Sequence, residues 1–458
     1  VTDFGGMKVA VIGAARTGTA VARALVPRGA RVHVYDAKPE GAMTEARDAL
    51  LQVGATFTFG ASEGPELEKA DIVVPSPGVP KTSVVLQRAV QRGQTVWSEP
   101  EVAYRLTEAR FVAITGTNGK TTTTALIGEV LRSAGLDARV GGNIAPGTPL
   151  ITLAAEAPAS AVLVAEISSF QLEWTASFRP AVGVITNITE DHLDRHGTVA
   201  EYAAMKARLF AFQTPGDAAV VNADSPPALE AARSSKGSLW TFSRLHEVER
   251  GAFLRGSAIV LRDAGQDRDV MDAGEILIPG RHNLENSLAA VVACHVLGAS
   301  PEAAKHTLTR FRGVEHRMEV VGEAGGVRYI NNSMCTNPAA LIGSLEALDC
   351  PVVAIVGGRE KGLDFSAVPD VLKRRCRAVI SIGAFGPQMA EMARRAGVET
   401  VIEAGTLAAA VPLAAEAARP GDVVMLAPGC ASHDQFSGFE ERGRLFRELA
   451  LARISGAT

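Results

Sequence analysis

The chain has 458 residues, 47% of them hydrophobic and 21% charged, with 46 basic against 50 acidic side chains and a formal net charge of -4. That length exceeds a single ordinary core and predicts about three domains at roughly 100–200 residues each, while the composition excludes a long disordered tail. No dense Lys/Arg block is available for a nucleic-acid backbone, so the expected partners are small molecules and not nucleic acid.

From the N-terminus, short β-branched runs alternate with helical stretches: Lys8-Val9-Ala10-Val11-Ile12, a helix reaching about Val26, then Arg31-Val32-His33-Val34-Tyr35-Asp36. This is βαβ grammar, and it implies a parallel sheet wrapped by helices. The turn Gly13-Ala14-Ala15-Arg16-Thr17-Gly18 is a G-x-A-x-x-G variant of the dinucleotide fingerprint, and Asp36 closes the second strand. An NAD domain and a nucleotide-sugar domain use the same physics here, a helix N-terminus set against a pyrophosphate, so the motif leaves both open. The loop Pro75-Ser76-Pro77-Gly78-Val79-Pro80 follows the strand Asp71 to Val74, and a rigid turn or a ligand contact fits it equally.

A new unit begins near residue 101. Its apolar run Phe111-Val112-Ala113-Ile114 leads into Thr115-Gly116-Thr117-Asn118-Gly119-Lys120-Thr121-Thr122 and then a helical segment. Two glycines let the backbone close around phosphate oxygens, Lys120 supplies a point charge, a Thr hydroxyl can reach magnesium, and the helix points free N–H groups at the anion. The loop therefore reads as an ATP site, although Ile114 stands where the general phosphate-loop pattern has a further glycine. The later strands Ala161 to Glu166 and Ala181 to Thr186 both end in polar clusters, where open α/β sheets place their sites. Glu166 ends a buried strand and needs a counter-charge or hydrogen bonds; a structural ion pair and a magnesium ion both meet that need. In the cluster Thr186 to His196, His192 amid Glu190, Asp191 and Asp194 is the best metal-ligand candidate among the histidines. On its own, Lys206 reads as a solvent-facing helix lysine. The stretch Ser234 to Asp272 yields no clear assignment. A third unit begins near Gly313, with strands at Val327 to Ile330, Val352 to Val356, Ala378 to Ile382 and Asp422 to Leu426.

Five cysteines (Cys294, Cys335, Cys350, Cys376, Cys430) are odd in number, widely spaced and without a Cys-x-x-Cys pair, which speaks against a disulfide framework or a thiolate zinc site. No apolar run approaches the roughly 20 residues that span a bilayer, and Val1-Thr2-Asp3-Phe4 has no export pattern, so a cytoplasmic protein with no membrane association is expected.

An ordered set of motifs resembles the signature series of the Mur ligase family, ATP-dependent enzymes that join amino acids to a carboxylate. The set comprises Gly116 to Thr122, Glu166 to Leu172, Asn187 to Asp194, Gly280 to Asn286, His316-Arg317 and Gly357 to Phe365, and it runs through essentially the whole chain. The closing run Ala427 to Phe436, with Phe439 to Gly443, is similar to the glutamate-adding members. The resemblance implies three α/β domains: a Rossmann-like N-terminal domain (1–100), a central P-loop-type ATPase domain (101–312) and a C-terminal Rossmann-like domain (313–458). It implies ATP, UDP-N-acetylmuramoyl-L-alanine and D-glutamate as substrates, with L-glutamate or another amino acid as the alternative, two magnesium ions, and a monomer. By the same resemblance, Gly13, Ala14, Ala15, Arg16, Thr17, Gly18, Asp36, Ser76 and Gly78 hold the uridine nucleotide, and Asn143 and His192 the muramoyl end. Gly116, Thr117, Asn118, Gly119, Lys120, Thr121, Thr122, Asn283, Asn286, Arg317 and Asn332 hold ATP. Thr121, Glu166, His192 and a carbamylated Lys206 hold the metals, and Lys120, His192 and Lys206 are the catalytic set. Thr336, Lys361, Ser432 and Phe439 hold glutamate. One segment departs from the pattern. Where the glutamate-adding members commonly read Asn-Asp-Ser-Lys-Ala-Thr-Asn, this chain has Asn331-Asn332-Ser333-Met334-Cys335-Thr336-Asn337, losing an acid and a base together.

Overall fold

The computed structural model describes residues 1–144 and 147–456, which build three sheets. The first is five-stranded, in the spatial order Thr56–Phe59, Arg31–Asp36, Lys8–Ile12, Ile72–Pro75, Thr95–Val96, and every pairing is parallel. Its order reverses between Lys8–Ile12 and Ile72–Pro75, so the turn at Gly13 and the loop at Ser76 flank the crevice where such sheets bind ligands. The first helix, Arg16–Leu25, gives way to a 3₁₀ turn at Val26–Arg28 that contains Pro27, slightly earlier than expected.

The second sheet has nine strands. Arg110–Thr115 lies inside it between Val162–Glu166, which is followed outward by Ala138–Gly142, and Val182–Ile185, followed by Ala218–Asn222 and Ser238–Ser243. The stretch without an assignment from sequence supplies that last strand and then an antiparallel run, Gly251–Arg255, Ala258–Asp263 and Gln266–Asp272, at the sheet edge. Its pattern was hard to read because the outermost strand is mostly exposed and carries ion pairs in place of apolar residues: Asp267 meets both Arg255 and Arg262. Charged edges of this kind discourage pairing with another chain.

The third sheet runs Glu319–Ala324, Val327–Asn331, Val423–Leu426, Val352–Gly357, Cys376–Ile382, Thr400–Gly405, with only the first pair antiparallel. Its inner strands are buried on both faces, which is why they read as unbroken apolar runs.

Two compact units result: Val1–Ala273 with Glu285–Leu308, and Gly274–Leu284 with the chain from Thr309 onward. Within the first, the N-terminal and central sheets share one apolar cluster that includes Phe4, Val21, Leu25, Ala103, Phe111, Leu150 and Phe178. Among the described residues no helix is long and apolar enough to cross a membrane.

Candidate active site

Three neighbouring strands of the central sheet end side by side, with Ile114 opposite Glu166 and Thr115 opposite Ile185. The loops that leave them therefore meet at the carboxyl edge. Ile114 is a fully buried strand residue, and the chain turns only at Gly116, so the phosphate loop is shorter than the general pattern. Gly116 has φ +147°, and a Cβ there would overlap the Thr186 hydroxyl; at Gly119, φ +83°, it would overlap the Asn286 side chain. The loop is pinned from the neighbouring turn: Asn187 Oδ1 accepts from Asn118 N at 2.9 Å, and Thr186 Oγ1 donates to Asn118 O at 2.6 Å. Helix Lys120–Ser133 then begins.

Two lysine side-chain nitrogens converge on one carbonyl. Gly116 O accepts from Lys120 Nζ at 3.1 Å and from Lys206 Nζ at 2.8 Å, and Lys120 also donates to Thr117 O at 2.7 Å. Lys206 is not the solvent-facing lysine expected from its sequence surroundings: it is 1% exposed and stands 4.2 Å from the Tyr202 ring centre. The reason is positional. Tyr202 and Lys206 are four residues apart on helix Val199–Ala207 and share its buried face. Burial, then the charge of Lys120, lowers the Lys206 pKa from 10.5 to about 6.

Glu166 is also buried, and its hydrogen-bond partners are neutral: Thr121 Oγ1 donates to Oε2 at 2.6 Å and Asn143 Nδ2 to Oε1 at 3.3 Å. A threonine hydroxyl beside a buried carboxylate is a hard-oxygen donor set that suits magnesium. Among the described residues, no three His, Cys, Asp or Glu side chains cluster closely enough to hold a metal by themselves. His192 takes a left-handed backbone conformation (φ 52°), is exposed, and lies tilted beside Phe170 with ring centres 4.9 Å apart and Nε2 3.5 Å from Asp191. The buried neighbour His196, not singled out by the sequence reasoning, lies between Phe170 and Tyr202 with Nε2 3.0 Å from Ser169 Oγ. Its spacing of four from His192 on a short helix was the available signal.

In the N-terminal domain Asp36 braces the fingerprint loop: its carboxylate accepts from Ala14 N at 2.8 Å and from Lys38 N at 2.9 Å. Ser76 Oγ donates to Gly13 O at 3.2 Å, and a Cβ on Gly18 would overlap that same carbonyl, so glycine allows the tight turn. Ala15, Arg16 and Gly78 are exposed and Thr17 is partly so. A hollow of about 660 Å³ lies beside this loop, lined by Ala14, Ala15, Arg16, Thr19 and Arg23 among others. Arg16 reaches Ile144 O at 2.9 Å and Arg195 reaches Val79 O at 3.0 Å, joining the loop ends of the two sheets. Asn286 packs on the phosphate loop, accepting from Thr123 Oγ1 at 3.2 Å.

Asn283 belongs to the second unit and donates to Pro279 O at 2.6 Å. The altered segment of that unit is neutral and internally bonded. Asn332 accepts from Met318 N at 3.1 Å and donates to Ser344 Oγ at 2.6 Å, and Met334 Sδ accepts from Arg317 at 3.5 Å. Losing acid and base together has thus left no stranded charge. Thr336 is partly exposed, Lys361 is exposed after Gly357-Gly358, Ser432 is buried, and Phe439 O accepts from Ser333 Oγ at 2.7 Å.

Three family descriptions match the chain: Mur ligase MurD-like, N-terminal domain over residues 7–98; Mur ligase middle domain over 114–294; and Mur ligase, glutamate ligase domain over 316–430. The chain is 47% identical over 455 residues to a UDP-N-acetylmuramoylalanine–D-glutamate ligase of Pelotomaculum thermopropionicum, covering 99% of each. It is 43% identical to one of Koribacter versatilis, covering 98% of each. The solved UDP-N-acetylmuramate-alanine ligase of Thermotoga maritima shares the fold at a TM-score of 0.58 and 19% identity, over 98% of this chain and 100% of that one.

Proposed function

This chain belongs to the Mur ligase family, and we propose that it joins D-glutamate to UDP-N-acetylmuramoyl-L-alanine at the expense of ATP, a step of peptidoglycan precursor synthesis. The observation that carries the reading is its similarity, over nearly the full length of both chains, to relatives that bear the name of that activity. Residues 1–100 serve the uridine nucleotide, 101–312 ATP and 313–458 the amino acid, acting in the cytoplasm as a monomer.

The γ-phosphoryl group of ATP passes to the L-alanyl carboxylate, giving an acyl phosphate and ADP. The glutamate amine then attacks the acyl carbon, loses a proton, and the tetrahedral intermediate expels phosphate. Lys120 and the loop N–H groups from Gly116 to Thr122 hold the phosphates, where positioning and charge are the main catalytic needs. Asn283, Asn286, Arg317 and Asn332 are assigned to the same nucleotide. Gly13 to Gly18, Asp36, Ser76 and Gly78 take the uridine nucleotide, with Asn143 and His192 toward the muramoyl end. Lys361 and Thr336 receive one glutamate carboxylate, and Ser432 with the backbone at Phe439 the other.

Thr121, Glu166, His192 and a carbamylated Lys206 would hold two magnesium ions, which when bound neutralise charge on the phosphoryl group. Supporting this, Thr121 and Glu166 are hard-oxygen donors in contact, and the lowered pKa keeps the Lys206 amine neutral, the form to which carbon dioxide adds. The test is phosphate release measured with the uridine substrate and ATP plus D-glutamate, L-glutamate, L-lysine or meso-diaminopimelate in parallel. Release should require both the uridine substrate and D-glutamate. Faster turnover with another amino acid rejects the assignment, and release without either rejects ligation.

A further inference from the structure

Arg442, on helix Phe439–Gly456, is the bulkiest of the fully buried side chains among the described residues. Among those residues no carboxylate stands within ion-pair distance of it, although Asp434 acts on it through space, and its hydrogen-bond acceptors are uncharged. Nε donates to Ser333 Oγ at 3.0 Å, Nη2 to Ser333 O at 2.8 Å, and Nη1 and Nη2 both to Cys430 O at 3.3 Å. Ser333 Oγ passes the chain of bonds on to Phe439 O. Gly358 makes room on the remaining side, where an added Cβ would stand 3.2 Å from Nη1 and closer still to Ala431 O. Main-chain bonds between Arg359 and Ala431, at 2.8 and 3.0 Å, close the ring of segments.

The guanidinium therefore bonds the turns that follow Asn331 and Leu426, and through them the Arg359–Ala431 main-chain bonds bring in the turn after Gly357 and Ser333 Oγ brings in the start of its own helix. Each of those four segments carries one residue assigned to glutamate: Thr336, Lys361, Ser432 and Phe439. A buried cation without a contacting carboxylate, its nearby acid Asp434 acting only through space, lowers stability relative to an apolar side chain of equal volume, so packing alone does not account for it. We propose that Arg442 is a positioning residue of the amino-acid site, fixing the spacing of these four segments and biasing the site by its positive charge toward a dicarboxylate. Burial lowers its pKa only to about 10, which leaves the group charged at neutral pH. The inference rests on the glutamate assignment made above.

The experiment compares full-length wild type with Arg442→Lys, Arg442→Met and Ser333→Ala. Melting temperature is measured for each, with KM for D-glutamate, ATP and the uridine substrate. Acyl phosphate is trapped with hydroxylamine, a step that needs no amino acid. Arg442→Met should raise the glutamate KM by roughly tenfold or more, as for a lost charged hydrogen-bond set, and leave hydroxamate formation and the other two KM values within about twofold. Arg442→Lys should recover part of the loss, and Ser333→Ala should raise the glutamate KM by a few-fold while lowering the melting temperature by only a few degrees, as for one lost buried hydroxyl. If Arg442→Met does not fold, Arg442→Lys and Ser333→Ala decide. An unchanged glutamate KM in both, or KM values for all three substrates rising together, overturns the positioning role. Wild type that prefers another amino acid overturns the D-glutamate reading instead, and with it the dicarboxylate bias, while the variants' KM for that amino acid still decides the positioning role.

Discussion

Replacing Lys206 by methionine is expected to stabilise the protein near neutral pH while abolishing ligation. The folded pKa of about 6 against the ordinary 10.5 means that between these values the unfolded chain holds a proton that the folded chain has released. Stability contributed by this site therefore rises with pH through that window and is lowest below about pH 6. At pH 7.5 about three pH units still separate the solution from the unfolded pKa, so at about 1.4 kcal/mol per unit the buried amine costs about 4 kcal/mol; near pH 10.5 the cost has almost vanished. Methionine is unbranched, can fill the same path beside Tyr202, and removes the charge. It also removes the bond to Gly116 O, worth about 1 kcal/mol, but that oxygen keeps its bond from Lys120. The variant should thus be more stable by about 3 kcal/mol at pH 7.5 and no more stable than wild type at pH 10.5. Urea denaturation of both proteins from about pH 6.5 to 10.5, in buffers purged of carbon dioxide so that the amine stays free, reads the difference directly. A difference that is flat with pH, or a wild type that is the more stable at pH 7.5, refutes the reasoning.

Lys120→Ala should abolish turnover, since the site loses its main fixed cation, and retention of more than about a tenth of the wild-type rate, a loss under about 1.4 kcal/mol, speaks against that role. Lys361→Ala should raise the glutamate KM by about tenfold with little change in kcat, and an unaltered KM removes it from the glutamate site. The Glu101 carboxylate is buried and accepts main-chain N–H bonds from Ala176, Ser177 and Phe178 at 2.8–2.9 Å, with Arg105 Nε at 2.7 Å. Burial pushes its pKa up, but the bonds from Ser177, Ala176 and Arg105 outweigh this and hold it below the usual 4.5. Its stabilisation is present above that value and lost as pH falls through the folded one, so Glu101→Gln should cost about 2–3 kcal/mol at pH 7 and less on acidification. A penalty that does not change between pH 7 and pH 3 counts against this account.

The parallel sheets were legible because their strands are apolar runs buried on both faces, as at Val162–Glu166 and Arg110–Thr115, and break at polar or glycine-bearing turns, Ser168-Ser169 after the first and Gly116 after the second. The fingerprint turn was legible too, because Asp36 and Ala14 lie within one local βαβ unit. The edge strand Gln266–Asp272 was not, since it owes its place to ion pairs and no apolar period marks it. The burial of Lys206 was hidden for a different reason: it follows from a bond to Gly116, 90 residues away, which no local pattern encodes. Arg442 was hidden likewise, its acceptor Ser333 lying 109 residues upstream. The exchange of acid and base for Asn332 and Met334 was visible as a departure, but the neutral bonds that accommodate it required the fold.

The apolar cluster that runs from Phe4 through Val102, Ala103 and Leu106 to Phe111 and Phe178 crosses the gap between the stretches matched at 7–98 and 114–294. The border between those two matched stretches is thus not a border of cooperativity. A cut there would bare the interior of both halves, and neither could be exchanged as a cassette without redesigning the face it presents. On heating, the first two sheets should come apart in a single calorimetric step, and two resolved steps from this unit would show that the shared interior does not couple them.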